Sequence, residues 1–133
     1  MRNFLLAILV LSYSSLAAAH EVRPAFLRLT ELQTDSPGSL YEASLRQPQI
    51  DGRYLGLELA SNCEATPVSA RITDGALIEV SELNCKEEGL QTIEIVGLER
   101  TLVDALVSLE RANGETVELL ITGSEPRIDL ANT

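Results

Sequence analysis

The sequence contains no tryptophan, one histidine and two cysteines, and it has half as many basic as acidic residues. Ten Lys and Arg stand against 20 Asp and Glu, which gives a formal charge of −10 near neutral pH. A nucleic-acid partner is not expected, because its phosphates need basic side chains to neutralise them, and the same deficit disfavours electrostatic attachment to anionic membranes. Aromatic residues make up only 4% of the chain, so we expect an aliphatic core. The apolar content of 45% is nevertheless too high for a disordered protein.

The single histidine also restricts the chemistry that the chain can perform. Serine and cysteine triads need a histidine held inside a pocket, whereas His20 lies near the start of the sequence. No P-loop, dinucleotide glycine fingerprint or H-E-x-x-H zinc motif is present. The few aromatic rings argue against a glycosidase, which holds sugars on such rings. We therefore expect a protein that is not an enzyme, with an exported carboxylate-dependent hydrolase as an alternative.

Residues 1–19 carry the three-part pattern of a secretory signal peptide. An arginine supplies the positive start, an apolar run follows from Phe4 to Leu11, and Ala17 and Ala19 fill the small positions of a cleavage site. An uncleaved membrane anchor is the alternative, but the apolar run is shorter than the ~20 residues of a spanning helix. We expect cleavage after Ala19, which leaves residues 20–133 as one periplasmic or secreted domain that does not insert into the membrane.

Cys63 and Cys85 are the only cysteines, and an oxidising compartment predicts a disulfide between them. A thiolate metal site or a reactive redox pair is the functional alternative. The two cysteines lack the C-x-x-C spacing that metal binding and redox chemistry generally use. The charged residues beside the second cysteine, Glu82 and Lys86 to Glu88, are interpreted as a solvated loop surface rather than a cation site.

Alternation of apolar and polar residues dominates the rest of the chain. Ala25, Leu27 and Leu29 share one face of an expected strand, and turn residues at Pro48 to Gly52 and at Asp74-Gly75 interrupt the alternation. The further expected strands lie within 41–45, 55–59, 70–73, 77–83, 91–96, 115–122 and 126–130. Short strands at this spacing predict an antiparallel, Ig-like β-sandwich of about seven or eight strands.

The segment before Asn113-Gly114 admits two interpretations. Apolar residues from Glu99 to Ala112 fit helical spacing, whereas Ala105 to Arg111 also fits a strand. Asn-Gly between two apolar runs indicates a tight hairpin in which both turn residues take positive φ. We therefore prefer the strand.

Several stretches form a recognisable combination: AHEVRPAFLRLTEL from Ala19 to Leu32, the widely spaced Cys63 and Cys85, and the segment from Thr92 to Leu130. Together they resemble the amino-terminal exported domain of HupE/UreJ family membrane proteins. The resemblance covers nearly the whole chain after the leader. It implies an exported, β-rich domain that precedes a block of transmembrane helices in proteins associated with nickel or cobalt uptake.

The same resemblance also limits what can be carried over. The family's histidine-containing metal motifs lie in its membrane helices, and this sequence stops at Thr133, where the linker to the first helix would begin. We therefore expect a non-catalytic exported domain that binds a separate permease-like membrane protein or its metal. A truncated copy of a longer membrane protein is the alternative.

His20 offers a second hypothesis, a stand-alone metal-binding module. After cleavage, this residue would carry both a free α-amine and an imidazole, and two such nitrogens can chelate Cu²⁺ or Ni²⁺. Glu21 could add an oxygen ligand, and the family resemblance adds cobalt to nickel and copper as candidate metals. The plainer interpretation is that His20 is simply the residue left by signal peptidase.

On the metal-module hypothesis, the mature chain binds Ni²⁺ or Cu²⁺ through His20. Isothermal titration of the protein that begins at His20 should then show tighter binding than a variant with one extra N-terminal glycine, because the added residue separates the amine from the imidazole. Equal binding by the two proteins would contradict the hypothesis.

Overall fold

The computed structural model describes residues 23–130, in which nearly all regular structure is β-strand. Ten strands, numbered β1 to β10, span Ala25–Leu32, Ser39–Ile50, Arg53–Tyr54, Glu58–Ser61, Glu64–Thr73, Ala76–Lys86, Thr92–Val96, Ala105–Glu110, Thr116–Ile121 and Arg127–Asp129. A 3-10 turn, Leu98–Arg100, lies between β7 and β8. The predicted signal peptide lies outside the described residues.

The strands form two sheets that pack against each other. The larger sheet has the order β5-β6-β2-β1-β8-β9, with β3 paired to the end of β2, and the smaller has the order β10-β7-β4. Side chains from the facing sides of both sheets form one buried cluster. The predicted all-β sandwich is therefore confirmed.

The core is aliphatic, as the composition predicts. Leu27 and Leu29 of β1 alternate with exposed or half-buried neighbours, and Ile93 and Ile95 of β7 oppose them from the smaller sheet. Full burial of each such side chain contributes roughly 1.5–3 kcal/mol relative to leaving it in water. Tyr41 supplies the aromatic ring of the described core.

The pairing of β1 with β8 departs from the expected antiparallel arrangement. These two strands run parallel, with Ala25 opposite Ala105 and Thr30 opposite Glu110. The chain crosses to the smaller sheet and back between them, so it can enter β8 in either direction. Alternation within a strand carries no information on its distant partner, which is why the sequence did not predict this pair.

The expected interruption from Pro48 to Gly52 is wrong in its position. Strand β2 continues through Pro48 to Ile50, and the turn is confined to Asp51 and Gly52, which both have positive φ. Pro48 is tolerated because the β1–β2 ladder ends at the pair Phe26–Arg46, so no neighbouring strand needs a hydrogen bond from that side. The strand expected within 55–59 is also wrong in its extent: Gly56 has a φ of 68°, residues 55–57 belong to no strand, and only Glu58 and Leu59 lie in β4.

Both predicted hairpins form, but only one has the predicted turn conformation. Asp74 and Gly75 have φ values of 50° and 73° and connect β5 to β6 as expected. Strands β8 and β9 also form a hairpin, which confirms the strand interpretation over the helix. In its loop, however, Gly114 has positive φ and Asn113 does not, because the turn is longer and closes by a hydrogen bond from Arg111 N to Glu115 O.

Glu31 joins the ends of three strands at the edge of the core. The Tyr41 hydroxyl donates to Glu31 Oε2 at 2.7 Å, and Glu31 Oε1 accepts from the backbone N of Ala112 at 3.3 Å. Burial of the ring, together with the hydrogen bond to this carboxylate and its charge, raises the pKa of Tyr41 from 10.0 to about 12. The folded protein therefore favours the neutral phenol more strongly than the unfolded chain does.

We predict a loss of stability in alkaline solution that depends on Tyr41. Its contribution to the free energy of unfolding should be complete below pH 10 and disappear as the pH rises from 10 to about 12, because the unfolded chain loses this proton first. The advantage of the wild type over Tyr41→Phe in denaturant unfolding should shrink across that interval. The tyrosinate absorbance step near pH 12 should be missing from the variant; identical titration curves would contradict the assignment.

Candidate functional site

The structure describes only part of the site expected from the sequence. His20 and Glu21, the predicted metal ligands, lie outside residues 23–130. Cys63 and Cys85 form the predicted disulfide, with an S–S distance of 2.04 Å and Cα atoms 4.4 Å apart. The predicted pairing of the two cysteines is therefore confirmed.

The disulfide lies where the chain crosses from the smaller sheet to the larger one. Cys63 stands between β4 and β5, and the preceding Asn62 holds the opposite loop in place. Asn62 Oδ1 accepts from the backbone N of Gln91 and of Thr92, at 2.8 and 3.1 Å, and its Nδ2 donates to Gly89 O at 2.9 Å. Sequence analysis did not identify Asn62, because its hydrogen bonds are made to a loop almost 30 residues away in the chain.

Acidic side chains do not gather into a metal site within the described part of the chain. No three His, Cys, Asp or Glu residues between positions 23 and 130 lie close enough together to hold an ion. Lys86, the last residue of β6, and Glu87 and Glu88 in the loop after it are exposed, as expected of a solvated surface. Two exposed surfaces of the larger sheet are the further candidate sites.

The first surface crosses the outer face of the larger sheet. Phe26 pairs with Arg46 on one side and with Leu106 on the other, and these pairs continue through Ile78 and Leu120. The complete row, which we call the outer band, reads Arg71, Ile78, Arg46, Phe26, Leu106, Leu120. Arg46, Phe26 and Leu106 each lie between two buried residues of their strands, so their side chains point to the solvent side. The register places Arg71, Ile78 and Leu120 on the same face.

The outer band is apolar and carries positive charge. Leu106 and Leu120 are 42% and 54% exposed and lie directly opposite each other on β8 and β9. The guanidinium of Arg28 lies 5.8 Å from the centre of the Phe26 ring, within the range of a cation–π contact. Exposed leucines side by side with arginines are a typical composition for a protein-binding surface.

Charges on this face are separated along the strands. Glu42, Glu82 and Glu110 occupy a second row on the same face, in which Glu42 and Glu82 are directly paired. Glu42 precedes Arg46 by four residues on β2, a separation of about 13 Å at the rise of an extended strand. Although the chain is acidic overall, this face therefore carries a basic, apolar band and, farther along the strands, a separate acidic row.

An open cleft of about 730 Å³ adjoins the outer band at the end of the sheet. Arg23, Phe26 and Arg46 line it together with Asp51 and Asp74. The two carboxylates offset the two guanidinium groups, so the cleft extends the outer band without making it strongly basic.

The second surface is an uncovered groove at the other side of the sandwich. Every residue of β5 is exposed, including Val68 at 62% and Ile72 at 67%. A groove of about 510 Å³ separates this strand from β4 of the smaller sheet. The larger sheet thus extends beyond the layer that covers it.

Gln47 is a buried polar residue of β2 that bonds to Leu57 and Glu79, two residues that line this groove. Its Oε1 accepts from the backbone N of Leu57 at 2.9 Å, and its Nε2 donates to Leu57 O at 3.1 Å and to Glu79 Oε1 at 3.2 Å. The side chain therefore pairs with the backbone just before β4 as a neighbouring strand would. It also fixes the position of the Glu79 carboxylate.

Comparison with known proteins adds no assignment. No protein-family model matches the chain, and no curated protein matches it either. Within residues 23–130, no helix has the length and apolar character needed to cross a membrane. Any functional conclusion must therefore rest on the sequence and on the two surfaces.

We predict that Gln47→Leu destabilises the fold by roughly 2–4 kcal/mol. The variant leaves the backbone N–H and C=O of Leu57 buried without partners, and each such group costs about 1–3 kcal/mol. Denaturant unfolding measures the loss. The matched control Gln49→Leu, at an exposed position on the same strand, should change stability by less than about 0.5 kcal/mol. Equal effects of the two substitutions would contradict the role given to Gln47.

Proposed function

We propose that this protein is an exported, non-catalytic domain that binds a membrane-embedded, permease-like partner through the outer band. One observation carries the proposal: the exposed pair Leu106–Leu120 continues across the sheet through half-buried Phe26, then Arg46 and half-buried Ile78, to Arg71. Folded domains seldom leave such a row in water unless another molecule covers it. The partner therefore presents apolar and acidic side chains.

Export is supported by two features of the chain. The leader pattern of residues 1–19 directs secretion, and the Cys63–Cys85 disulfide is of a kind that persists in oxidising compartments such as the periplasm. The resemblance to the exported domain of HupE/UreJ proteins supports a membrane partner with several transmembrane helices. Nickel or cobalt is then the cargo of that partner.

The charge pattern supports a defined orientation of the complex. Arg46 and Arg71 attract an acidic partner surface, whereas the row that contains Glu42, Glu82 and Glu110 repels it. Complementary and opposing charges of this kind fix orientation and raise the association rate more than they raise affinity. The metal-binding role of His20 and Glu21 remains a separate proposal, which the nickel and copper titration decides.

We expect the mature chain to co-purify with a multi-span membrane protein encoded beside it, and to lose this binding when the outer band is made polar. The double variant Leu106→Ser, Leu120→Ser should bind at least about tenfold more weakly, because it removes the exposed apolar centre of the surface. Binding of the detergent-solubilised partner can be measured by surface plasmon resonance.

The matched control is Leu102→Ser, which alters a leucine that is 93% exposed but lies before β8 and outside the outer band. It should bind like the wild type. The proposal fails if no multi-span protein is encoded next to this chain, or if the double variant binds as tightly as the control.

A further inference from the structure

The β5–β6 hairpin exposes a face that continues the core. Leu45 of β2 is buried, and the register places Glu79 of β6 and then Ala70 of β5 beside it on the same side of the sheet. Ile72 follows two residues later on this side. These β5 side chains are on the same side of the sheet as the core residues, yet they are exposed to solvent.

The smaller sheet ends too early to cover that face. Its order, β10-β7-β4, stops at β4, which pairs with β7 along Glu58–Ser61 and has no strand on its other side among residues 23–130. The groove lies between this free edge and the hairpin. It therefore has the position of a missing fourth strand of the smaller sheet.

The two exposed edges differ in their capacity to accept a strand. Strand β5 contains Pro67, which lacks an N–H, and its register is shifted at Val68 by an extra residue. Prolines and bulges are devices that block pairing at a sheet edge. Strand β4 has neither, so its edge is the one open to addition.

The charge of the groove selects its occupant. Glu58 and Glu79 are the charged residues that line it, and both are acidic. A second copy of this chain packed face to face would bring like charges together, whereas a basic segment would neutralise them. Small lining residues such as Ala65, Ala70 and Ser81 leave room for large side chains of an incoming strand.

We propose that the groove binds an extended segment of another protein, which pairs with β4 as the fourth strand of the smaller sheet. Apolar side chains on one face of this segment cover Val68, and a lysine or arginine contacts Glu58 and Glu79. Backbone hydrogen bonds supply affinity and alternate side chains supply specificity, as in other cases of strand addition. This site is separate from the outer band, which lies on the opposite face of the larger sheet.

A synthetic peptide tests the inference directly. The probe is the acetylated and amidated sequence Val-Thr-Lys-Thr-Val-Thr-Lys-Thr-Val, which places its valines and lysines on the same face of an extended strand, and its control carries glutamate in place of each lysine. Isothermal titration should show saturable binding of the basic peptide and binding at least about tenfold weaker for the acidic one. Hydrogen exchange should slow at the backbone amides of Glu58–Ser61 when the basic peptide is bound.

Variants of exposed residues locate the site without disturbing the core. Glu79→Gln and Val68→Lys should each weaken binding of the basic peptide severalfold, since the first removes the attracting charge and the second adds a repelling one. Glu82→Gln, on the outer face of the same strand as Glu79, is the matched control and should bind like the wild type. The double variant of the outer band should also bind this peptide normally, so a failure of one proposal does not imply failure of the other.

Several results would overturn the inference. They are the absence of peptide binding, equal binding of the basic and acidic peptides, and exchange protection on β5 or β9 instead of β4. Sedimentation equilibrium supplies the remaining test: a dimer of this chain that Val68→Lys disrupts would show that a second copy, and not a basic segment, covers the groove.

Discussion

The constraint on which the structure depends is that a pleated strand presents alternate side chains to opposite faces, so an apolar face must be covered by a second layer. Six strands of the larger sheet lie side by side, but only three strands lie across from them. Where the smaller sheet covers the larger one, Leu27, Leu29 and Val107 are buried. Where it ends, the same alternation leaves Val68 and Ile72 in water.

Two amide side chains and one disulfide join the two unequal layers at their open side. Gln47 pairs with the backbone of Leu57, Asn62 binds the loop before β7, and the Cys63–Cys85 disulfide closes the crossing between the sheets. Gln47 and Asn62 bond to backbone groups of the smaller sheet and of the loops before its strands, and the disulfide covalently links the connection between the two sheets to β6. The same contacts shape the groove, because they fix the distance between β4 and the β5–β6 hairpin.

The two candidate surfaces divide recognition between the faces of the larger sheet. The outer band combines exposed leucines with arginines, whereas the groove combines apolar side chains with Glu58 and Glu79. Their opposite charges mean that one ligand does not fit both surfaces. Under the two proposals, the domain holds one partner on its flat face and an extended segment in its groove.

Local pattern alone determined the all-β class, the hairpin at Asp74-Gly75 and the strand at 105–110, because alternation and turn chemistry act over short stretches of chain. The predicted oxidising compartment and the cysteine content determined the disulfide. The metal-ligand hypothesis at His20 and the family resemblance also come from the sequence, and they remain predictions. Only the tertiary structure decided that β1 runs parallel to β8, that Pro48 is tolerated within β2, and that Gln47 bonds to Leu57. It likewise decided that the apolar side chains of β5 are uncovered. The physical reason is that strand partners and coverage depend on residues far apart in the chain, and no local pattern records which distant strand, if any, lies opposite.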